Sequence, residues 1–491
     1  MNRRAFLKSA GVSAAALNVL PALTPSSASG QAAPADTLNV ALIGCGTQGL
    51  RELPGLLATP GVRVVAVCDP NKDSDDYVDW SRQGLRKGLA NAIGVADWRA
   101  GQAIPGGRDV AAEVVDAYYA RHRAGETAKP CARYADFREL LEKERGLHAV
   151  KIMTPDHLHA SVAIAAMRAG RHVMLHKPLA NRVIEARRVI EVARETGVAT
   201  HFIPASSGGD VSISAQLIRN GAIGRLREIH NWSNRPVWPQ YPERPSDTPP
   251  VPKDFDWALW LGPSRDCPYH PHYTHTVFRG WYEFGGGAIA DMGHYSLWRV
   301  FREFDLDAPI RVESTPSHVC TLRDRVSVKI TNTWSFPVAC TVRFGFAAKG
   351  ARPALDLWWY DGGMRPPTPE ELERENGELP PEGMLFVGDR GKILAGFLGQ
   401  NPRILSGDTQ APLPAVEPVN LNWVKAFKGG APTYGDFQHA GPISEAFNLA
   451  AVSLRLGGKR LLWDSAKLTV ANRPEAVPYL TRDYRPGWEV V

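Results

Sequence analysis

The sequence predicts an α/β protein with a doubly wound parallel sheet at its N-terminal end and a second, strand-bearing domain behind it. Three observations carry this expectation. Short apolar runs rich in β-branched residues alternate with helical stretches between residues 38 and 203. A glycine-rich turn joins the first of these runs to the first helix. Period-two alternation returns far downstream, in Val326–Trp334 and Ala339–Phe346, as half-buried strands require. A chain of 491 residues also exceeds what one hydrophobic core supports, so two domains are expected.

The first 30 residues read as a targeting segment. Asn2-Arg3-Arg4-Ala5-Phe6-Leu7-Lys8 precedes an apolar run from Ala10 to Leu23, then Pro25-Ser26-Ser27-Ala28-Ser29-Gly30. A basic start, a short apolar core and small residues describe an export signal, and the paired arginines resemble the twin-arginine kind. The apolar run is shorter than the ~20 residues of a membrane span. Arg3, Arg4 and Lys8 account for part of the net charge of +6 and leave 54 basic against 51 acidic groups. That balance, without any block of like charge, argues against nucleic acid as a partner. The six cysteines are scattered without metal-ligand spacing. The expected location is periplasmic or otherwise exported, with no membrane span.

Leu38-Asn39-Val40-Ala41-Leu42-Ile43 reads as a buried strand, and Gly44-Cys45-Gly46-Thr47-Gln48-Gly49 follows at once, opening a helix over Leu50–Ala58. Glycines at this spacing allow a tight turn and bring backbone N–H groups to a pyrophosphate at the helix N-terminus. The next strand, Val62–Val67, ends at Cys68-Asp69, and Asp69 lies 20 residues past Gly49. A carboxylate there accepts hydrogen bonds from an adenosine ribose and repels a 2′-phosphate, which favours NAD over NADP. Residues 71–130 are longer than most βα connections and read as an insertion on the cofactor side, helical near Val110–Arg123. A helix then covers Tyr134–Leu141 with Asp136 as its cap, and His148–Met153 forms a further parallel strand. That strand delivers Thr154-Pro155-Asp156-His157-Leu158-His159 to the ligand end of the sheet. A helix (Ala160–Ala169) and a strand (His172–Leu175) lead to His176-Lys177-Pro178.

These pieces resemble the glucose–fructose oxidoreductase/inositol dehydrogenase (Gfo/Idh/MocA) family. The matching motifs are Gly44-x-Gly46-x-x-Gly49, Thr154-Pro155-x-His157-x-His159, Lys177-Pro178, Gly221-Ala222-Ile223-Gly224, and the run Gly285-Gly286-Gly287 to Asp291-Met292-Gly293-His294. The ending, from Asn422-Trp423 through Trp463-Asp464 to Tyr484-Arg485-x-Gly487-Trp488, resembles exported sugar-processing branches of the family. The resemblance implies a Rossmann domain over 38–203 and an α+β domain over 204–491, built on a large, open, mostly antiparallel sheet that supports homo-oligomers. It also implies that Gly44, Cys45, Gly46, Thr47, Gln48, Gly49, Asp69, Thr154, Pro155, His157, His159, His176 and Lys177 hold NAD.

For catalysis, the resemblance places Lys177 beside the nicotinamide and the substrate hydroxyl, where desolvation and a cationic ring would lower its pKa. Asp291 and His294, three apart at a helix start, are expected to project from one face into the cleft. Two departures leave the proton acceptor open among Lys177, His294 and Tyr295. Many members carry histidine four residues after this aspartate, where this chain has Tyr295, and His176 stands where glutamate commonly precedes Lys-Pro. Trp238, His275 and Arg279 are candidates for the substrate wall. His270, His272 and His275 alternate with Pro271 and Tyr273 in a loop without helical ligand spacing, so no metal site is expected.

A dehydrogenase outside the cytoplasm has no pool in which to exchange its cofactor. The expected function is therefore an exported sugar or glycoside oxidoreductase with tightly held NAD in a redox-neutral cycle. Oxidation at a ring carbon such as C3 would give a 3-keto sugar or lead to glycoside cleavage. The alternatives are a sugar:sugar oxidoreductase, a dissociable sugar or polyol dehydrogenase, and a non-catalytic sugar-binding protein.

Overall fold

The computed structural model describes residues 37–125, 129–206, 209 and 211–490; the expected export signal at 1–30 lies outside them. Six strands form the first sheet: β1 (Leu38–Ile43), β2 (Val62–Cys68), β3 (Ala132–Tyr134), β4 (Ala149–Ile152), β5 (His172–Leu175) and β6 (Thr200–Phe202). Their order is β3-β2-β1-β4-β5-β6, and every pairing is parallel. β1 and β4 are almost wholly buried, which explains why they read as unbroken apolar runs rather than alternating ones. The strand order reverses between β1 and β4, whose ends Ile43 and Ile152 stand in register. That reversal opens the crevice in which such sheets bind their ligands.

The long connection between β2 and β3 is more than a surface insertion. Its helix Arg108–His122 is the crossover itself, tied to β2 where Val64 N–H donates to Tyr119 Oη at 2.7 Å. A second helix, Gly84–Ile93, packs outside the helix Thr47–Ala58. Asp136 caps the helix Phe137–Lys143 as expected, accepting from Arg138 N–H at 2.9 Å.

The second sheet has nine strands in the order β15-β14-β13-β7-β12-β11-β8-β16-β17. They are β7 (Leu226–Trp232), β8 (Arg311–Pro316), β11 (Cys340–Phe346), β12 (Leu355–Tyr360), β13 (Gly383–Gly388), β14 (Lys392–Ala395), β15 (Arg403–Ser406), β16 (Leu461–Asp464) and β17 (Thr469–Val470). Only β7 and β12 pair in parallel; the other neighbours are antiparallel. Helices Val211–Arg219, His294–Glu303 and Gly441–Arg455 contribute the cover over its buried face, where Trp298, Phe344, Trp359 and Phe386 lie fully inside. The alternation in Ala339–Phe346 forms β11, with the expected half-buried pattern.

Val326–Trp334 behaves differently. Only β10 (Val326–Lys329) is a strand, and it pairs with β9 (Cys320–Arg323) in a separate hairpin outside the main sheet. Leu322 and Val326 are exposed there, because the alternating pattern predicts a strand and says nothing about what covers it. No helix among the described residues is long and apolar enough to cross a membrane.

Candidate active site

The cleft at the β1/β4 reversal is lined by Gly44, Gly46, Thr47, Gln48, Asp69, Thr154, Pro155 and His176 among others. Gly44 has φ +98°, and a Cβ there would run into the backbone of Met153 and Thr154. A Cβ at Gly49 would strike the Gly44 carbonyl, so these two glycines set the tight turn. The helix Thr47–Ala58 begins with neither a side-chain cap nor an acidic residue in its first turn. Its free N–H groups and dipole suit a pyrophosphate. Cys45 takes part through its backbone only; its side chain is buried in the core.

Asp69 is buried and accepts from Cys45 N–H at 2.7 Å and Asn71 N–H at 2.8 Å, one bond on each oxygen. Burial raises its carboxyl above the usual value, while the two backbone donors pull the other way. Each oxygen keeps a lone pair for a ribose hydroxyl, so the residue both braces the glycine turn and reads the sugar. Trp488, returning from the chain's far end, packs on Phe137 at 5.9 Å and closes the adenosine side of the cleft.

A strap from the β2–β3 connection covers the glycine turn. Val78 C=O accepts from Thr47 Oγ1 at 3.0 Å and from Thr276 Oγ1 at 3.1 Å, while Asp79 pairs with Arg51. The Tyr77 ring lies against Gly46 and 3.8 Å from the ring of His275, whose Nε2 is 3.4 Å from Asp76 Oδ1. The cofactor turn is thus bridged to the second domain. His275, a candidate for the substrate wall, sits beside the cofactor turn and lines the same cleft as Arg279.

Beside His176 and Arg279, which line the cleft, Lys177 Nζ contacts Asp291 Oδ1 directly, and Arg279 Nε stands 3.3 Å from the same oxygen. Burial lowers the Lys177 amine below its usual value, and Asp291 opposes that fall only in part. For Asp291, burial raises the carboxyl, but Lys177 and Arg279 outweigh it and keep the group ionised. Trp238 is buried with its ring 5.9 Å from the Arg279 guanidinium, so these two expected wall residues do meet near Asp291.

His294 is corrected. Asp291 lies in a π-helical turn, Ile289–Gly293, that runs into the helix His294–Glu303. The wider π-turn shifts the residue following Asp291 on its own face beyond the third position. His294 therefore points into the core, fully buried, with Phe202 at 5.5 Å and Phe447 at 4.6 Å. Its Nδ1 faces Ala290 C=O at 2.9 Å, and burial lowers its pKa to about 3, so it stays neutral. Tyr295, one residue on, reaches the cleft wall through His176. Its Oη is 2.5 Å from His176 Nε2, and its ring lies 5.5 Å from Lys177 Nζ. The two departures noted in the sequence are thus one contact: His176 and Tyr295 are partners.

His157 and His159 are also corrected, because neither lines the cleft. His157 is set between the carbonyls of Trp260 (2.8 Å) and Phe284 (3.3 Å). His159 is set between those of Thr154 (2.9 Å) and Pro178 (2.5 Å). Both are buried and brace the loops that carry Thr154 and Lys177; burial lowers both imidazoles. Sequence reasoning missed Tyr77, which carries no periodic signal, and two groups that a closer look at the motifs could have found. Asp156, inside the Thr-Pro-x-His motif, is buried and accepts from Gly286 N–H at 3.0 Å. Lys151, a charge in an apolar strand, is buried and pairs with Glu52 at 2.5 Å, near His176.

Fold and site together define a dinucleotide-binding protein, and comparison with known proteins places it in a family. Residues 38–203 match the family model described as "Oxidoreductase family, NAD-binding Rossmann fold", and residues 230–332 match "Oxidoreductase family, C-terminal alpha/beta domain". The chain belongs to the Gfo/Idh/MocA oxidoreductase family, and its N-terminal domain is an NAD site. It is 31% identical over 112 residues to levoglucosan dehydrogenase of Pseudarthrobacter phenanthrenivorans, covering 21% of this chain and 28% of that one. It is 26% identical over 242 residues to a glycosyl hydrolase family 109 protein of Shewanella pealeana, covering 46% and 44%. The matches span less than half of either relative. The WlbA dehydrogenase of Bordetella pertussis, solved with NADH and UDP-GlcNAcA, shares the fold at 16% identity and TM-score 0.52, over 87% of this chain and 99% of that one.

Proposed function

We propose that this protein is an exported enzyme that oxidises a ring hydroxyl of a sugar or glycoside while keeping its NAD bound through a redox-neutral cycle. The observation that carries this reading is the buried Lys177–Asp291 contact beside the dinucleotide cleft. NAD, held by the glycine turn and Asp69, would supply reversible hydride-acceptor chemistry for a carbinol carbon. Lys177, its pKa lowered by burial, takes the hydroxyl proton as a neutral amine. Asp291 holds that amine, with Arg279 on the same carboxylate, and the two offer hydrogen bonds to neighbouring hydroxyls. Tyr295, joined to His176, flanks Lys177 and shapes the floor on which the sugar ring rests. Oxidation at C3, for instance, gives a 3-keto sugar; the ketone acidifies the C2–H, and loss of that proton forms a C1–C2 double bond as the C1 substituent leaves.

Retention of the cofactor is supported by the strap that bridges the glycine turn to the second domain. Export is supported by the Arg3-Arg4 leader, and sugar chemistry by the sugar dehydrogenases among the relatives. The test is denaturing release of nucleotide from the purified mature protein, with its mass determined. Near-stoichiometric NAD, with 3-keto product from glycosides and no added cofactor, is the expected result. Protein that is empty and turns over only with added NAD would be a dissociable dehydrogenase and would end the redox-neutral reading.

A further inference from the structure

A second cavity, of about 560 Å³, lies behind the wall of the cofactor cleft and shares no lining residue with it. Phe284, which lines it, packs against Trp260, which lines the cleft, at 5.1 Å, so the two spaces stand back to back. The volume falls within the range of small-molecule sites, roughly 300–1,000 Å³.

The lining carries five arginines against three acids. Three of the arginines are matched by carboxylates: Arg182 with Glu283, Arg265 with Asp483, and Arg482 with Glu185. Arg244 and Arg455 are not. Among the described residues neither has a carboxylate at ion-pair distance; each rests on aromatic rings instead. Arg244 lies 5.6 Å over the ring of Trp334, and Arg455 lies 4.4 Å from Tyr479 and 5.6 Å from Tyr282. Stacking fixes each guanidinium plane while leaving its edge donors uncommitted. Trp281, Trp334, Tyr273 and Tyr479 supply flat apolar walls to the same cavity.

We infer that this cavity is a binding site for a carboxylated sugar, such as a uronate unit, separate from the site of oxidation. Aromatic walls take the C–H faces of a pyranose. The two lining guanidiniums without an ion-pair partner, Arg244 and Arg455, take its carboxylate by charge-assisted hydrogen bonds. A neutral sugar would leave both charges unmatched, and a bare anion would leave the aromatic walls unused.

Isothermal titration of the holoprotein with D-glucuronate, D-glucose and inorganic phosphate tests this. Glucuronate is expected to bind at least tenfold more tightly than either of the others. Arg244→Ala and Arg455→Met should each weaken it tenfold or more, while Lys177→Met, beside the cofactor cleft, should leave it unchanged. Arg244 is exposed on a loop, so its replacement leaves the fold intact, which an unchanged melting temperature verifies. Three results would overturn the assignment: no glucuronate binding, phosphate binding as tightly as glucuronate, or binding that disappears with Lys177→Met and survives both arginine variants.

Discussion

At the residue scale, Lys177 is 3% exposed, and its charged neighbours are one carboxylate and two other cationic or acidic side chains further off. Burial disfavours its charged form, so its pKa lies below that of a free lysine despite Asp291. The sign for activity follows. Only the neutral amine accepts a proton, so turnover rises with pH through the lowered lysine pKa and levels off above it, while Asp291 stays ionised throughout. Lys177→Met should cost about 10²–10⁴ in kcat, the usual contribution of a positioned base. It should also flatten the pH profile without emptying the NAD site, as measured by steady-state rates and nucleotide content. The lysine was legible in the sequence from its place before Pro178 at a strand end. The choice between His294 and Tyr295 was not, because it depends on a π-turn that hydrophobic patterning does not reveal.

At the element scale, the strap around Tyr77–Asp79 decides how the cofactor leaves. Its hydrogen bonds run to Thr47 on one side and Thr276 on the other, so the strap spans the glycine turn and ties it to the second domain. Tyr77→Ala removes the ring that lies between Gly46 and His275. It should speed NAD loss roughly tenfold, equivalent to about 1.4 kcal/mol of lost contact. Displacement of NAD by excess nucleotide, followed by fluorescence, measures it; an unchanged release rate would remove the strap from any role in retention. The sequence marked this region as a long connection on the cofactor side. It carried no sign that the segment crosses to the second domain, since polar residues without periodicity do not specify a partner.

On the scale of the whole molecule, the two halves named by the motifs share one core. Residues from one face of the parallel sheet, including Ile43, Val150 and Leu175, form a continuous cluster with Trp298, Phe344 and Phe447 of the second domain. The C-terminal segment locks this union. Arg482 bonds Glu185 through Nε at 2.5 Å, contacts Asn181, and both charged side chains are at most 2% exposed. Tyr484 Oη donates to the same carboxylate at 3.1 Å, and Trp488 walls the adenosine site. Arg482→Met leaves Glu185 buried without its cation and should destabilise the protein by about 3–5 kcal/mol, read from urea denaturation. A loss below 1 kcal/mol would show that the tail is not a fastening.

The sequence by itself determined the parallel sheet, the glycine turn, the carboxylate at Asp69 and the lysine at the strand end, because each depends on local periodicity or on spacing within one motif. Tertiary structure alone decided that His294 packs in the core while Tyr295 bonds His176, that His157 and His159 brace loops, and that Tyr77 and Trp488 line the cleft. Several of those outcomes rest on contacts between segments a hundred or more residues apart, such as His176 with Tyr295 and Phe137 with Trp488, and no local pattern encodes a partner at that distance; the π-turn and the seat of His159 between Thr154 and Pro178 are local, but hydrophobic periodicity does not reveal them.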